Sequence, residues 1–205
     1  MLFGDEAMQK FAKTKILILG VGGVGSFVLD GLYRTGFKDI TILDYDIYDE
    51  TNLNRQIGVD IEKCKVETLA KLYPGIKTIK QKMDVEWVKN FDFEPYDIVV
   101  DAADTTDVKV EVAKKCYKKL IMALGSAKRY DFTKIEVSKI FKTHTDPFAR
   151  KIRNALKKDK FNKNFTVVFS TEEPKCKDKG SCVAVTGAFG LAICSEVIKR
   201  VLYEK

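Results

Sequence analysis

Short apolar runs alternate with amphipathic stretches from end to end of this chain. Gly4 to Lys13 reads as an opening helix, and Ile16 to Leu19 forms the apolar centre of a strand running Lys15 to Gly20. A helical pattern follows from Gly23 to Arg34, with Gly36 placed as its stop, and then a second apolar run, Ile40 to Asp44. The pattern continues with a helix over Ile61–Leu72 ended near Pro74-Gly75, a strand over Lys77–Met83 and a short helix over Val85–Phe91. Next come a strand over Asp97–Val100, a helix over Val108–Tyr117 and a strand over Leu120–Leu124. This alternation predicts an α/β, Rossmann-like, doubly wound and mainly parallel sheet.

After Gly125 the rhythm changes to a carboxyl-terminal α/β extension. Lys134–Phe141 alternates as a strand, Asp146-Pro147 has the chemistry of a helix start, Thr166–Ser170 is a strand and Cys182–Tyr203 a closing helix. We read residues 1–205 as a single domain: 1–125 the nucleotide-binding half, 126–205 a half for substrate and dimer contacts.

The first strand runs into glycines Gly20, Gly22, Gly23 and Gly25, then a helix, then a strand ending at Asp44 about 20 residues on. Glycines allow a tight turn and close approach of a phosphate, and the helix N-terminus presents N–H groups to it. An acid at the tip of the next strand can accept hydrogen bonds from a ribose. The arrangement predicts an adenine nucleotide site.

Composition adds limits. None of the apolar runs reaches the length of a membrane span, and the start, MLFGDEAMQKFA, lacks the character of a secretory signal. Five cysteines without a CxxC pair suit a reducing cytoplasm better than a disulfide framework. Cys64 and Cys194 read as packed positions, Cys176 and Cys182 are poorly spaced for a zinc knuckle, and the lone His144 reads as a loop residue. The net charge of +7 is concentrated between Lys142 and Asn164, where eight Lys or Arg stand against two Asp. A second basic cluster is KKCYKK, Lys114–Lys119. Such concentration points to a polyanionic partner or an ordinary solvated helix face. Within it, Arg150, Arg153 and Lys157 share one side of a helix whose other side carries Phe148, Ile152 and Leu156.

Three further motifs narrow the chemistry: TNLNRQ (Thr51–Gln56), CKVE (Cys64–Glu67) and DAADTTD (Asp101–Asp107). Cations spread the charge of a departing pyrophosphate, and a carboxylate can hold magnesium. Asp101 and Asp104 could equally cap the following helix, and Asp101 could simply brace its loop.

In this order the motifs resemble the ThiF/MoeB/HesA superfamily, adenylating enzymes related to ubiquitin-activating enzyme. The resemblance implies activation of a carboxylate as an acyl-adenylate, with ATP and Mg2+ as cofactors. It implies that Gly20, Gly22, Gly23 and Gly25 form the phosphate loop, that Asp44, with Asp46 beside it, serves the ribose, and that Asn52 and Gln56 support the pocket. Arg55 and Lys65 would act on the triphosphate, Arg55 commonly from the second subunit of a homodimer, with Lys63 the alternative to Lys65. Asp104 would coordinate magnesium. Relatives carry an Arg-containing segment before the opening helix, whereas here Met1-Leu2-Phe3 stands close before it.

The carboxyl half resembles one branch, the tRNA threonylcarbamoyladenosine dehydratases. FKTHTDPFARKIRNALKKD (Phe141–Asp159), VVFSTEEP (Val167–Pro174) and GSCVAVTGAFG (Gly180–Gly190) carry this likeness. It implies a tRNA partner, met by Arg150, Lys151, Arg153 and Lys157, and links to a cysteine desulfurase and its sulfur-acceptor partner. Three other readings stay open on sequence: an activator of a ubiquitin-like sulfur carrier, an NAD(P)-dependent oxidoreductase, and a non-catalytic adaptor binding nucleotide and RNA.

Overall fold

A computed structural model describes residues 2–177 and 180–203. Strand β1 (Lys15–Leu19) is apolar at consecutive positions because both its faces are buried. Ile16 and Ile18 join one core, Leu17 and Leu19 the other. Around it lie β2 (Asp39–Asp44), β3 (Lys77–Lys80), β4 (Ile98–Asp101), β5 (Leu120–Ala123), β6 (Ile135–Lys139) and β7 (Thr166–Ser170). They form one sheet in the order β3-β2-β1-β4-β5-β7-β6, parallel except for β6. Strands of both halves therefore share a single sheet.

Helices α1 (Asp5–Lys13), α2 (Gly25–Thr35), α3 (Lys65–Leu72) and α7 (Val183–Tyr203) cover the first face. Helices α4 (Val85–Asn90), α5 (Thr106–Cys116) and α6 (Pro147–Lys158) cover the second. Strand order reverses between β1 and β4, which opens a crevice at their carboxyl ends, where doubly wound sheets bind ligands.

The predicted elements are present, with informative changes of boundary. The helix expected from Ile61 begins at Lys65. Residues before it are held in a loop: Glu62 N–H donates to Tyr48 O at 2.9 Å, and Tyr48 N–H donates to Lys63 O at 2.9 Å. Glu62 there has φ 66°, and Cys64 is extended, so neither continues a helix. Strand β3 ends at Lys80, opposite Asp44, where its partner β2 stops. Asp146 caps α6 as expected, accepting from Phe148 N–H, with Pro147 in the first turn. Neither Asp101 nor Asp104 caps α5; the cap position is Thr105. Cys116 and Cys194 are buried in helices, which pushes their thiols up to about 12 and about 11. Cys64 is buried but precedes its helix.

Candidate active site

Gly20 leaves β1 at φ 82°, and its N–H donates to Leu43 O at 2.8 Å. Helix α2 then starts at Gly25, against whose Cα a Cβ would stand 1.9 Å from Gly20 O. Among the described residues no side chain caps this helix, an arrangement that suits an anion at its N-terminus. Asp44, buried at the end of β2, tethers the loop. Its Oδ2 accepts from Val21 N–H at 2.8 Å and its Oδ1 from Asp46 N–H at 3.0 Å. Each oxygen retains lone-pair capacity for a ribose hydroxyl.

TNLNRQ folds as a 3-10 turn over Glu50–Asn52, capped by Asp49, which accepts from Thr51 N–H at 2.7 Å. Hydrogen bonds from Thr51 hold the Asp49 carboxyl below the usual carboxylate range. Asn52 donates to Asp49 at 2.9 Å, and its own Oδ1 is buried without a partner among the described residues; the same is true of Gln56 Oε1. Both residues line the crevice. Buried acceptors of this kind suit a ligand that donates hydrogen bonds.

Lys65 occupies the first turn of α3, only 5% exposed, with its ammonium 3.2 Å from Asp46 Oδ2. It lines the crevice, whereas the exposed Lys63 does not. Arg55 lies against Gly23: a Cβ on that glycine would meet Arg55 Cγ at 3.2 Å. Its guanidinium donates to Thr51 O at 2.5 Å and Asn54 Oδ1 at 3.0 Å. Asp104 is exposed and lines the same crevice, its only described hydrogen bond a 3.4 Å contact from Thr105.

These side chains line one cavity of about 980 Å³, within a single chain. Arg55 lies beside the glycine loop of its own chain. Mixed Arg55→Ala and Asp104→Ala proteins should therefore fail to rescue one another. Recovery of turnover after proven subunit exchange would instead place Arg55 in the partner's site.

The cavity continues into the carboxyl half, along Gly125–Arg129, Asp146–Phe148 and Thr186. Its floor is an ion pair that the sequence did not announce, Arg129 Nη2 to Asp146 Oδ1 at 3.2 Å, with side chains 2% and 1% exposed. Arg129 also donates to Glu172 O at 2.7 Å, and Asp146 Oδ2 accepts from Gly125 N–H at 3.1 Å. Asp146 thus joins the end of β5 to α6, besides capping the helix. Other cavity residues that motif reasoning missed are Tyr45, Lys82 and Lys128, while Ser181 of the GSCVAVTGAFG motif also lines the cavity. His144 is an exposed loop residue outside the cavity, 3.6 Å from Glu136.

On α6, Arg150, Lys151, Lys157 and Lys158 are exposed. Arg153 is only partly so, because its guanidinium donates to Thr143 Oγ1 and braces the turn before Asp146. The expected basic face is thereby shifted toward Arg150, Lys151 and Lys157. In the KKCYKK cluster, Lys114 pairs with Glu111 at 2.9 Å and Asp159 at 3.0 Å, which docks the end of α5 on the end of α6.

The family model for ThiF matches residues 1–205. The chain belongs to the ThiF family. Within it, the chain is 35% identical over 190 residues to a tRNA threonylcarbamoyladenosine dehydratase of Bacillus subtilis, covering 85% of this chain and 73% of that protein. It is 30% identical over 243 residues to the enzyme of that name from Escherichia coli, covering 98% and 91%. The crystal structure of the E. coli dehydratase in complex with ATP superposes with a TM-score of 0.92 at 31% identity, over 98% of this chain and 90% of that one. At 15% identity, HcgE from Methanothermobacter marburgensis shares the fold with a TM-score of 0.71.

Proposed function

We propose that this ThiF-family protein is an ATP-dependent tRNA threonylcarbamoyladenosine dehydratase, activating the substrate's carboxylate and closing it into a ring. The observation that carries the reading is the convergence of Arg55, Lys65 and Asp104 on one glycine-loop cavity that continues into the carboxyl half. A hydride-transfer site has no need of that set, whereas splitting ATP does. The likeness to dehydratases over nearly the full chain supports the substrate.

The glycine loop and the start of α2 hold the phosphates, and Asp44 holds the ribose. The substrate carboxylate attacks the α-phosphorus, and the bond to pyrophosphate breaks. Lys65 and Arg55 balance charge on the departing group. A nucleophile within the same modified nucleoside then attacks the activated carbonyl carbon, AMP leaves with the former carboxylate oxygen, and a proton is released. Proximity drives this closure, so no protein thiol is required.

Asp104 fits a magnesium ion carried by the nucleotide. It is an exposed carboxylate free of any described ion pair, and Mg2+ characteristically takes one or two carboxylates besides phosphate oxygens and water. Bound there, the metal would neutralise triphosphate charge.

The tRNA would lie along α6, its backbone met by Arg150, Lys151 and Lys157, with Arg153 fixing the turn that aims the helix. Glutamate at Arg150 and Lys151 should weaken tRNA binding about 10-fold or more at moderate salt and flatten its salt dependence, while ATP affinity is unchanged. Equal tRNA affinity in filter binding would remove this helix from the interface. We further propose a homodimer, with residues 1–125 serving nucleotide and 126–205 serving tRNA and dimer contacts, working in the cytoplasm with a cysteine desulfurase and sulfur acceptor. No helix among the described residues is long and apolar enough to cross a membrane.

The test of the class is isotope exchange between pyrophosphate and ATP. Exchange stimulated by threonylcarbamoyladenosine-containing tRNA supports the proposal. Exchange appearing only with a ubiquitin-like carrier protein would make this an activator of sulfur carriers.

A further inference from the structure

Beneath the loop that carries Asp104 lies a charge pair that the adenylation chemistry leaves unused. Lys109 of α5 and Asp101 at the end of β4 are 1% and 0% exposed, with Nζ 3.0 Å from Asp101 Oδ1. The same ammonium donates to Asp101 O at 3.3 Å. Asp101 Oδ1 also accepts from Ala103 N–H at 3.0 Å. Ala102 N–H donates to Leu19 O at 2.9 Å, at the end of β1. The loop then abuts the glycine turn so closely that a Cβ on Gly20 would stand 3.1 Å from Ala103 N. Lys109 is thus a strut from helix α5 to the backbone that both borders the phosphate loop and leads into Asp104.

A buried ion pair is weak as a source of stability, because desolvation offsets the attraction. Burial here pushes the Asp101 carboxyl up and the Lys109 ammonium down, each opposed by the other's charge. Asp101 Oδ2 is moreover buried without a hydrogen-bond partner among the described residues. Apolar residues would fill the space at less cost. What a charged pair supplies and an apolar one does not is direction: the ammonium fixes a carbonyl, and the carboxylate fixes the amide two residues on.

We infer that Lys109 is a positioning residue, acting through Asp101 to hold Ala102–Asp104 against the glycine loop so that the Asp104 carboxylate meets the nucleotide. The inference rests on the proposed role of Asp104.

The test uses Lys109→Met and Asp104→Ala, singly and together, in the full chain. Three readouts are needed: turnover, ATP affinity by calorimetry with magnesium and with chelator, and amide exchange at Ala102–Thr105 by mass spectrometry. Lys109→Met should lower turnover roughly 10- to 100-fold, as expected for a misplaced catalytic group. Metal-free ATP affinity should stay within about twofold. The gain in affinity on adding magnesium should fall to that of Asp104→Ala, and Ala102–Thr105 should exchange faster. In the double variant turnover should drop no further than in Asp104→Ala alone, since both changes disable one device.

Should Lys109→Met fail to fold, Asp101→Asn combined with Lys109→Met removes both charges without stranding either, and the same readouts apply. Full turnover with unchanged exchange, or losses that multiply in the double variant, would overturn the inference. If Asp104→Ala keeps both its turnover and its magnesium effect, the role of Asp104 fails. Faster loop exchange with slowed turnover in Lys109→Met would then still uphold positioning of the loop.

Discussion

Lys65→Ala should lower ATP-dependent turnover on the order of 10²–10³-fold, the loss typical when a preorganised group facing developing charge is removed. Two observations set the size of this effect. The side chain is almost fully buried, so its ammonium is held in place rather than sampled from solvent. Its charge is balanced by one carboxylate, Asp46, which is itself about half exposed. It therefore reaches the cavity from a position where the triphosphate would supply the second counter-charge. The fold should change little: an ion pair with one exposed partner contributes about 1 kcal/mol or less. Lys65→Ala should thus melt near the parent and bind ATP more weakly, with the main loss in the chemical step. Lys65→Arg should rescue poorly, because a planar fork cannot replace a compact ammonium in a buried slot. Lys63→Ala should be close to neutral, since Lys63 faces solvent outside the cavity. Single-turnover kinetics with calorimetry separates binding from chemistry in each variant.

The second large effect is expected at the glycine loop, where two glycines should fail in different ways. At Gly25 an added Cβ would meet Gly20 O at 1.9 Å, a contact with backbone that no side-chain rotation relieves. Gly25→Ala should destabilise the fold by about 1–3 kcal/mol or more and abolish ATP binding. At Gly22 the nearest atom to an added Cβ is the Gln56 amide nitrogen, 3.8 Å away. Gly22→Ala should melt like the parent yet lose ATP affinity, because the methyl group occupies the path of a phosphate toward the loop. Thermal denaturation beside ATP titration distinguishes the two. Equal loss of stability in both would mean that the loop is built for folding rather than for a ligand.

The glycine loop, α2 and Asp44 were legible because their constraints are local. A turn that needs positive φ, a close approach and a following helix writes its own residue pattern within about 30 residues. Asp44 was legible as an acid at a strand tip, but its tether to Val21 N–H was not, since that bond crosses 23 residues of chain. The start of α3 was misplaced for a related reason. Ile61 to Cys64 look helical by composition, yet the backbone of Glu62 and Lys63 pairs with Tyr48, and Cys64 bridges to Ile47, both partners from the preceding loop. Arg129 and Lys109 left no trace at all. A lone arginine after Gly125 resembles loop decoration, and a lysine within a helix resembles a solvated face. Each is buried against a carboxylate that only the fold brings to it: Asp146 at the start of α6 for the first, Asp101 at the end of the preceding strand for the second. Arg153 shows the reverse. Helical spacing grouped it with a free basic face, and the hydroxyl of Thr143 claims it for the turn.

On this reading the chain closes a carboxylate of a modified tRNA nucleoside at the expense of ATP. The most direct test is mass spectrometry of nucleosides from threonylcarbamoyladenosine-containing tRNA after incubation with the protein, magnesium and ATP. The expected result is loss of one water from that nucleoside, dependent on ATP and strongly slowed with Lys65→Ala. An unchanged nucleoside, under conditions where the protein binds both ATP and the tRNA, would contradict it.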